Sequence, residues 1–156
     1  MSLVRRPAVA GRFYPAQPEI LLHDIKSYLA PAEPKVRALG CVVPHAGYMY
    51  SGHVAGAVYA HLELPGRYII LCPNHTGMGK PLAIMADGMW DTPLGKVAVD
   101  KELGEALLAS CPQASEDADA HRAEHALEVQ LPFLQAIRSQ FTFVPITVGV
   151  GSFEPL

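Results

Sequence analysis

Three short runs constrain this chain most: "ALGCVVP" (38–44), "RYIILCP" (67–73) and "FTFVPITVGV" (141–150). Each is almost continuously apolar over the length of a strand, with little alternation. That pattern predicts strands buried on both faces, as in a parallel sheet. Such strands need covering layers, and the segments between them have helical character. "QPEILLHDIKSYLAP" puts Leu21, Ile25, Tyr28 and Leu29 on one face, with Pro18 in the first turn. Ser51 is positioned to cap "GHVAGAVYAHL", and Asp100 to cap "KELGEALLAS". "LAIMA" and "GKVAV" predict a hairpin around "DGMWDTPL", and Pro132 a kink in the helix running through "EHALEVQLPFLQAIRSQ". The expected fold is α/β, a layered and largely parallel sheet flanked by helices, with residues 1–156 as one domain. No crossover follows the last run, so the sequence reads as the front part of a larger domain, with an apolar face of that strand left uncovered.

Composition narrows the function classes. Half of the 156 residues are hydrophobic, enough for a real core. The net charge is only −3 and no Lys/Arg block occurs, so a nucleic-acid or anionic-membrane partner has no electrostatic footprint. No apolar run approaches the roughly 20 residues of a membrane span. "MSLVRRPAVAGRFYP" lacks the long apolar core of a secretory signal. Cys41, Cys72 and Cys111 are odd in number and widely spaced, which predicts reduced thiols and a cytoplasmic protein.

Chemistry is concentrated in histidines. "CVVPHAG" and "ILCPNHTG" both run from apolar residues through proline into a histidine and a glycine. Ligands of open parallel sheets bind beyond the C-terminal strand ends. His45 and His75 would therefore meet at one sheet edge if the strands are neighbours, and two converging imidazoles are a metal-site candidate. Each could instead simply bond a loop carbonyl. "HRAEHALEVQLPF" places His121, Glu124, His125 and Glu128 at helical spacing, and His-x-x-Glu-His matches a zinc-peptidase pattern. Little chain remains downstream to give that pattern its third ligand. The expectation is that His125 faces the cleft and His121 faces water. Cys72 fits a small apolar residue closing a strand, and His23, His53 and His61 fit surface or packing roles. Tyr48, Tyr50 and Trp90 are either pocket lining or aromatic core. "NHTGMGK" lacks the spacing and ending of a phosphate loop.

Taken in order, "RRPAVAGRFYP", "PHAGYMYSG", "CPNHTG", "DTPLG", "EHALEVQLPFL" and "VPITVG" closely resemble the Memo family, also called AmmeMemoRadiSam system protein B. The resemblance covers essentially the whole chain. It implies a fold related to the class III extradiol ring-cleavage dioxygenases, which use non-haem Fe(II). It implies that His45 and His75 correspond to two metal ligands and that His125 is the histidine of the family's Glu-His motif beside the site. Family members are nearly twice as long, and their second half carries a Ser-Asp motif, a further histidine and a cysteine that completes the metal site. The resulting expectation is a metal-dependent oxidoreductase with iron as cofactor. His125 would act as acid/base, and Tyr48 and Asn74 would line the pocket. A non-catalytic module binding a peptide or protein in the same cleft is the alternative. Expected partners are a small-molecule or peptide ligand and a second copy of the chain.

Overall fold

The computed structural model describes residues 3–31 and 33–149. It is a mixed α/β structure with a curled, mostly parallel sheet and helices packed against it, as the sequence predicts. The strands are β1 (Val4–Arg5), β2 (Arg67–Pro73), β3 (Leu82–Ile84), β4 (Met89–Thr92), β5 (Gly95–Val99), β6 (Ser115–Glu116) and β7 (Thr142–Val148). The helices are α1 (Pro18–Tyr28), α2 (Tyr48–Ala60), α3 (Lys101–Ser110) and α4 (Leu131–Ile137).

β7 is the axis of the sheet. Along its whole length it pairs in parallel with β2, from Arg67↔Thr142 to Pro73↔Val148. Its other edge is shared, with β5 parallel at Thr142–Phe143 and β3 antiparallel at Ile146–Val148. This position explains its apolar run: Phe143 and Val144 are completely buried. Asp100 ties the layers together. It caps α3 at the Leu103 N–H (3.1 Å) and accepts hydrogen bonds from Arg67 on β2 (2.6 and 2.8 Å) and Thr142 on β7 (2.8 Å). The Arg67 guanidinium holds the Asp100 carboxyl well below the usual carboxylate range.

Several local expectations are corrected. Residues 38–44 form no strand; they run irregular and open, with Leu39 and Val42 fully exposed. Among the described residues β2 pairs only with β7, and Ile69 and Leu71 are exposed, so the open apolar surface lies at β2 and 38–44 rather than on β7. The last residue of the expected third strand, Val150, lies outside the described residues. The hairpin joins β4 to β5 through Pro93-Leu94, while β3 pairs with β7. α2 begins four residues before the expected start at Gly52: Gly47 is its N-cap, and Ser51 lies inside the helix. Pro132 sits in the first turn of α4, where its missing N–H costs nothing, so it starts the helix instead of kinking it.

α1 and α2 pack through small residues. A Cβ added at Gly56 would lie 2.5 Å from the Tyr28 carbonyl oxygen, which is backbone and cannot yield. Gly56→Ala is therefore expected to destabilise the fold by about 1–3 kcal/mol, read from urea unfolding. An unchanged midpoint would mean the helices can separate freely.

Candidate metal centre

The site is built from three chain segments. β2 runs out through Pro73 into Asn74 and His75. The open 38–44 segment carries His45 at its end, held by a hydrogen bond from the Gln130 side-chain amide to the Pro44 carbonyl (3.0 Å). Gln130 is itself fixed by the Tyr59 hydroxyl (2.9 Å). The third segment, 119–130, is two 3₁₀ turns, Asp119–His121 and Glu128–Gln130, with irregular chain between them. His125 lies in that irregular stretch.

These segments bring His45, His75 and His125 together, with one donor atom of each within 4.8 Å of the others. The ring centroids are 5.2 Å apart for His45–His75, 5.9 Å for His45–His125 and 4.5 Å for His75–His125. Phe13 backs His125 at 4.7 Å. His45 and His125 line a cleft of about 1420 Å³, whose other walls include Val43, Tyr50, Leu64 and Ile70. Burial, with the charge of the neighbouring His75 and His45, lowers the pKa of His125 against the opposing pull of Glu124. The ring is thus biased toward its neutral, lone-pair-bearing form.

Glu124 lies directly beneath this cluster and is completely buried. Its carboxylate accepts hydrogen bonds from the His75 backbone N–H (2.6 Å) and the Ala126 N–H (2.9 Å), and lies 2.9 Å from His75 Nδ1 and 3.4 Å from His125 Nδ1. Burial alone would raise its pKa, but the Ala126 N–H and the His75 contacts outweigh it and hold the group below its ordinary value.

A second buried carboxylate anchors the segment from the other side. Glu128 pairs with Arg5 and also accepts from the Ala8 N–H (2.8 Å), the Val9 N–H (3.1 Å) and the Tyr14 hydroxyl (2.6 Å). Arg5 in turn donates to the carbonyls of His121 (3.0 Å) and Glu124 (2.7 Å), and its guanidinium lies over Trp90 at 4.3 Å. The backbone around Glu124 and His125 is therefore pinned by the N-terminal strand.

The other sequence candidates fall elsewhere. His121 does not face water: it is completely buried, 5.8 Å from Trp90, and does not join His125. The helix that would have put the two on one face is broken, because Glu124 and Glu128 turn inward onto other segments' N–H groups. Tyr48 is core rather than pocket lining, with its hydroxyl donating to the Val129 carbonyl (2.7 Å), and the cleft is lined by Tyr50 instead. Asn74 spends its side chain on its own loop. Its amide donates to the Met78 carbonyl, and its oxygen accepts from the Thr76 and Gly77 N–H groups and the Thr76 hydroxyl. Trp90 is fully buried, and Cys72 is a buried thiol pushed up to about 12 by burial. His23, His53 and His61 are exposed. Sequence reasoning missed the roles of Arg5, Glu124, Glu128 and Gln130; the available signal was polar side chains interleaved with a core-forming apolar run.

The residues present suit a divalent transition ion. Three imidazoles form a borderline-soft donor set, and the carboxylate beneath them complements a cation's charge. A metal with bonds of about 2.0–2.2 Å would bring the donor nitrogens to about 3.0–3.5 Å from one another, a small inward adjustment. Among the described residues no helix is long and apolar enough to cross a membrane.

Comparison with known proteins places these features in a family. The model of the Memo-like proteins matches residues 5–155. A MEMO1 family protein of Archaeoglobus fulgidus is 48% identical over 153 residues, covering 97% of this chain and 56% of its own length. One from Aquifex aeolicus is 47% identical over 154 residues, with 97% and 57% covered. The MEMO1 family protein MTH_45 of Methanothermobacter thermautotrophicus is 42% identical over 164 residues, with 97% and 59% covered. The chain thus spans somewhat more than half the length of these relatives. With the match running through every segment that builds the histidine cluster, the chain belongs to the Memo-like family.

Proposed function

We propose that the cleft is part of a metal-dependent oxidoreductase site, with Fe(II) as its metal and a small organic molecule or short peptide as substrate. The observation that carries this reading is the convergence of three imidazole donors within 4.8 Å at the edge of an apolar cleft. His45 and His75 hold the metal, which supplies Lewis acidity and an electron source when bound. His125 takes the proton released by the substrate, because its ring is biased toward the neutral form and sits 4.5 Å from His75 between centroids. The apolar walls at Val43, Leu64 and Ile70 bind the substrate's hydrocarbon part and exclude water from it. A fold related to the dioxygenases, implied by the resemblance of the sequence motifs alone, would make oxygen the oxidant by analogy. The three unpaired thiols agree with a reducing compartment such as the cytoplasm.

The test is anaerobic titration with Fe(II), and with Co(II) as a spectroscopic substitute. His45→Ala and His75→Ala are each expected to weaken binding at least about tenfold, while His125→Ala keeps the metal and loses substrate oxidation. Loss of binding in His125→Ala equal to that in the other two would make His125 a ligand instead of a base. A wild-type chain with no saturable binding would end the metal reading.

A further inference from the structure

We infer that Glu124 is a positioning residue that fixes the His75 ring as its Nδ1–H tautomer and presents Nε2 to the centre of the histidine cluster. The inference takes its purpose from the metal reading above, but its geometry stands without it. Glu124 grips His75 twice: one carboxylate oxygen accepts the backbone N–H at 2.6 Å, the other the ring Nδ1–H at 2.9 Å. A two-point hold of this kind sets both where the residue sits and how its ring is turned. An ionised carboxylate can only accept, so Nδ1 must carry the proton, and the lone pair falls on Nε2. The ring therefore has one orientation and one tautomer before any ligand arrives, although His75 itself is exposed.

The carboxylate is held as firmly as it holds. The Ala126 N–H binds the same oxygen that receives His75 Nδ1–H, and Arg5 fixes the Glu124 carbonyl. Among the described residues no lysine or arginine side chain pairs with the Glu124 carboxylate; its titratable neighbours are the imidazoles of His75 and His125. A buried anion in this position makes its imidazole partners more basic donors and offsets the charge of a cation on their far side. It also reaches toward His125 Nδ1 at 3.4 Å, so a single carboxylate backs two of the three rings.

The experiment uses ¹⁵N-histidine-labelled chain and long-range ¹H–¹⁵N correlation, which reads the tautomer of each ring directly in the metal-free protein. His75 is expected as the Nδ1–H form in the wild type and as a mixture in Glu124→Gln, with Co(II) affinity of the variant reduced about 10–100-fold. Thermal melts of both proteins separate this effect from unfolding. If the variant does not fold, the wild-type spectrum still decides: an Nε2–H tautomer at His75 overturns the inference. So does a Glu124→Gln protein whose tautomer and affinity are both unchanged. A wild type with the expected tautomer but no Co(II) binding would sustain the role of Glu124 while ending the metal reading, so the two fail separately.

Discussion

Glu128→Ala is expected to destabilise the chain by about 3–5 kcal/mol, the usual cost of breaking a buried ion pair from one side. The variant strands the Arg5 guanidinium in the core and removes the acceptor for the Ala8 and Val9 N–H groups and the Tyr14 hydroxyl. Arg5→Met should cost a similar amount, since it leaves the Glu128 carboxylate buried and frees the carbonyls of His121 and Glu124. The double variant Arg5→Met/Glu128→Ala should lose much less than the sum of the single changes, because neither charge is then left alone. Urea unfolding of the four proteins checks this. Additive losses would show that the two groups act independently, and a cost below about 1 kcal/mol would mean that water reaches the pair.

The second large effect is a loss of stability in mild acid that originates at His121. Burial, with the nearby Arg5 charge adding to it, lowers the folded-state pKa of this imidazole from 6.5 to about 4. Above pH 6.5 the ring is neutral in both folded and unfolded chains and adds no pH dependence. As pH falls from 6.5 toward 4, the unfolded chain binds a proton that the folded chain refuses, and stability drops by roughly 3 kcal/mol across that window. His121→Leu should remove this component, leaving a shallower profile set by the remaining groups. The measurement is the unfolding free energy at intervals from pH 7.5 to about pH 4 for both proteins. Parallel profiles would show that His121 is protonated in place.

How far the sequence could be read depends on what each pattern reports. The apolar runs at 67–73 and 142–148 became β2 and β7 because each found a partner along its whole length. Residues 38–44 carry the same pattern without forming a strand. Hydrophobicity records what a segment is suited to pack against, and among the described residues nothing pairs with that segment's edges. The strand-to-histidine transitions at His45 and His75 were legible because composition and position agreed. The stretch 121–130 was not, since its helical spacing is real in the sequence but overruled in space. Two carboxylates there bind N–H groups up to 120 residues away, and no local pattern can show that preference. Tyr48 failed for the opposite reason: its neighbours at 46–50 suggest a site, but its hydroxyl was needed by the Val129 carbonyl inside the core.

The Arg5–Glu128 link also sets an order of events during synthesis. Its partners are 123 residues apart, and Tyr14–Glu128 spans 114. The first strand thus leaves the ribosome long before the carboxylate it must meet, and closing so long a loop makes the contact late and slow. Until residues 121–128 emerge, Arg5 has neither its ion-pair partner nor the two carbonyls it holds, and His125 has no fixed backbone to stand on. His45 and His75 are available for much of that time without the third ring. A nascent chain should therefore pass through a stage in which the β4–β5 hairpin can form but neither the sheet's axis, β7, nor the histidine cluster is in place, and in which premature metal capture would find His45 and His75 without His125 beside them.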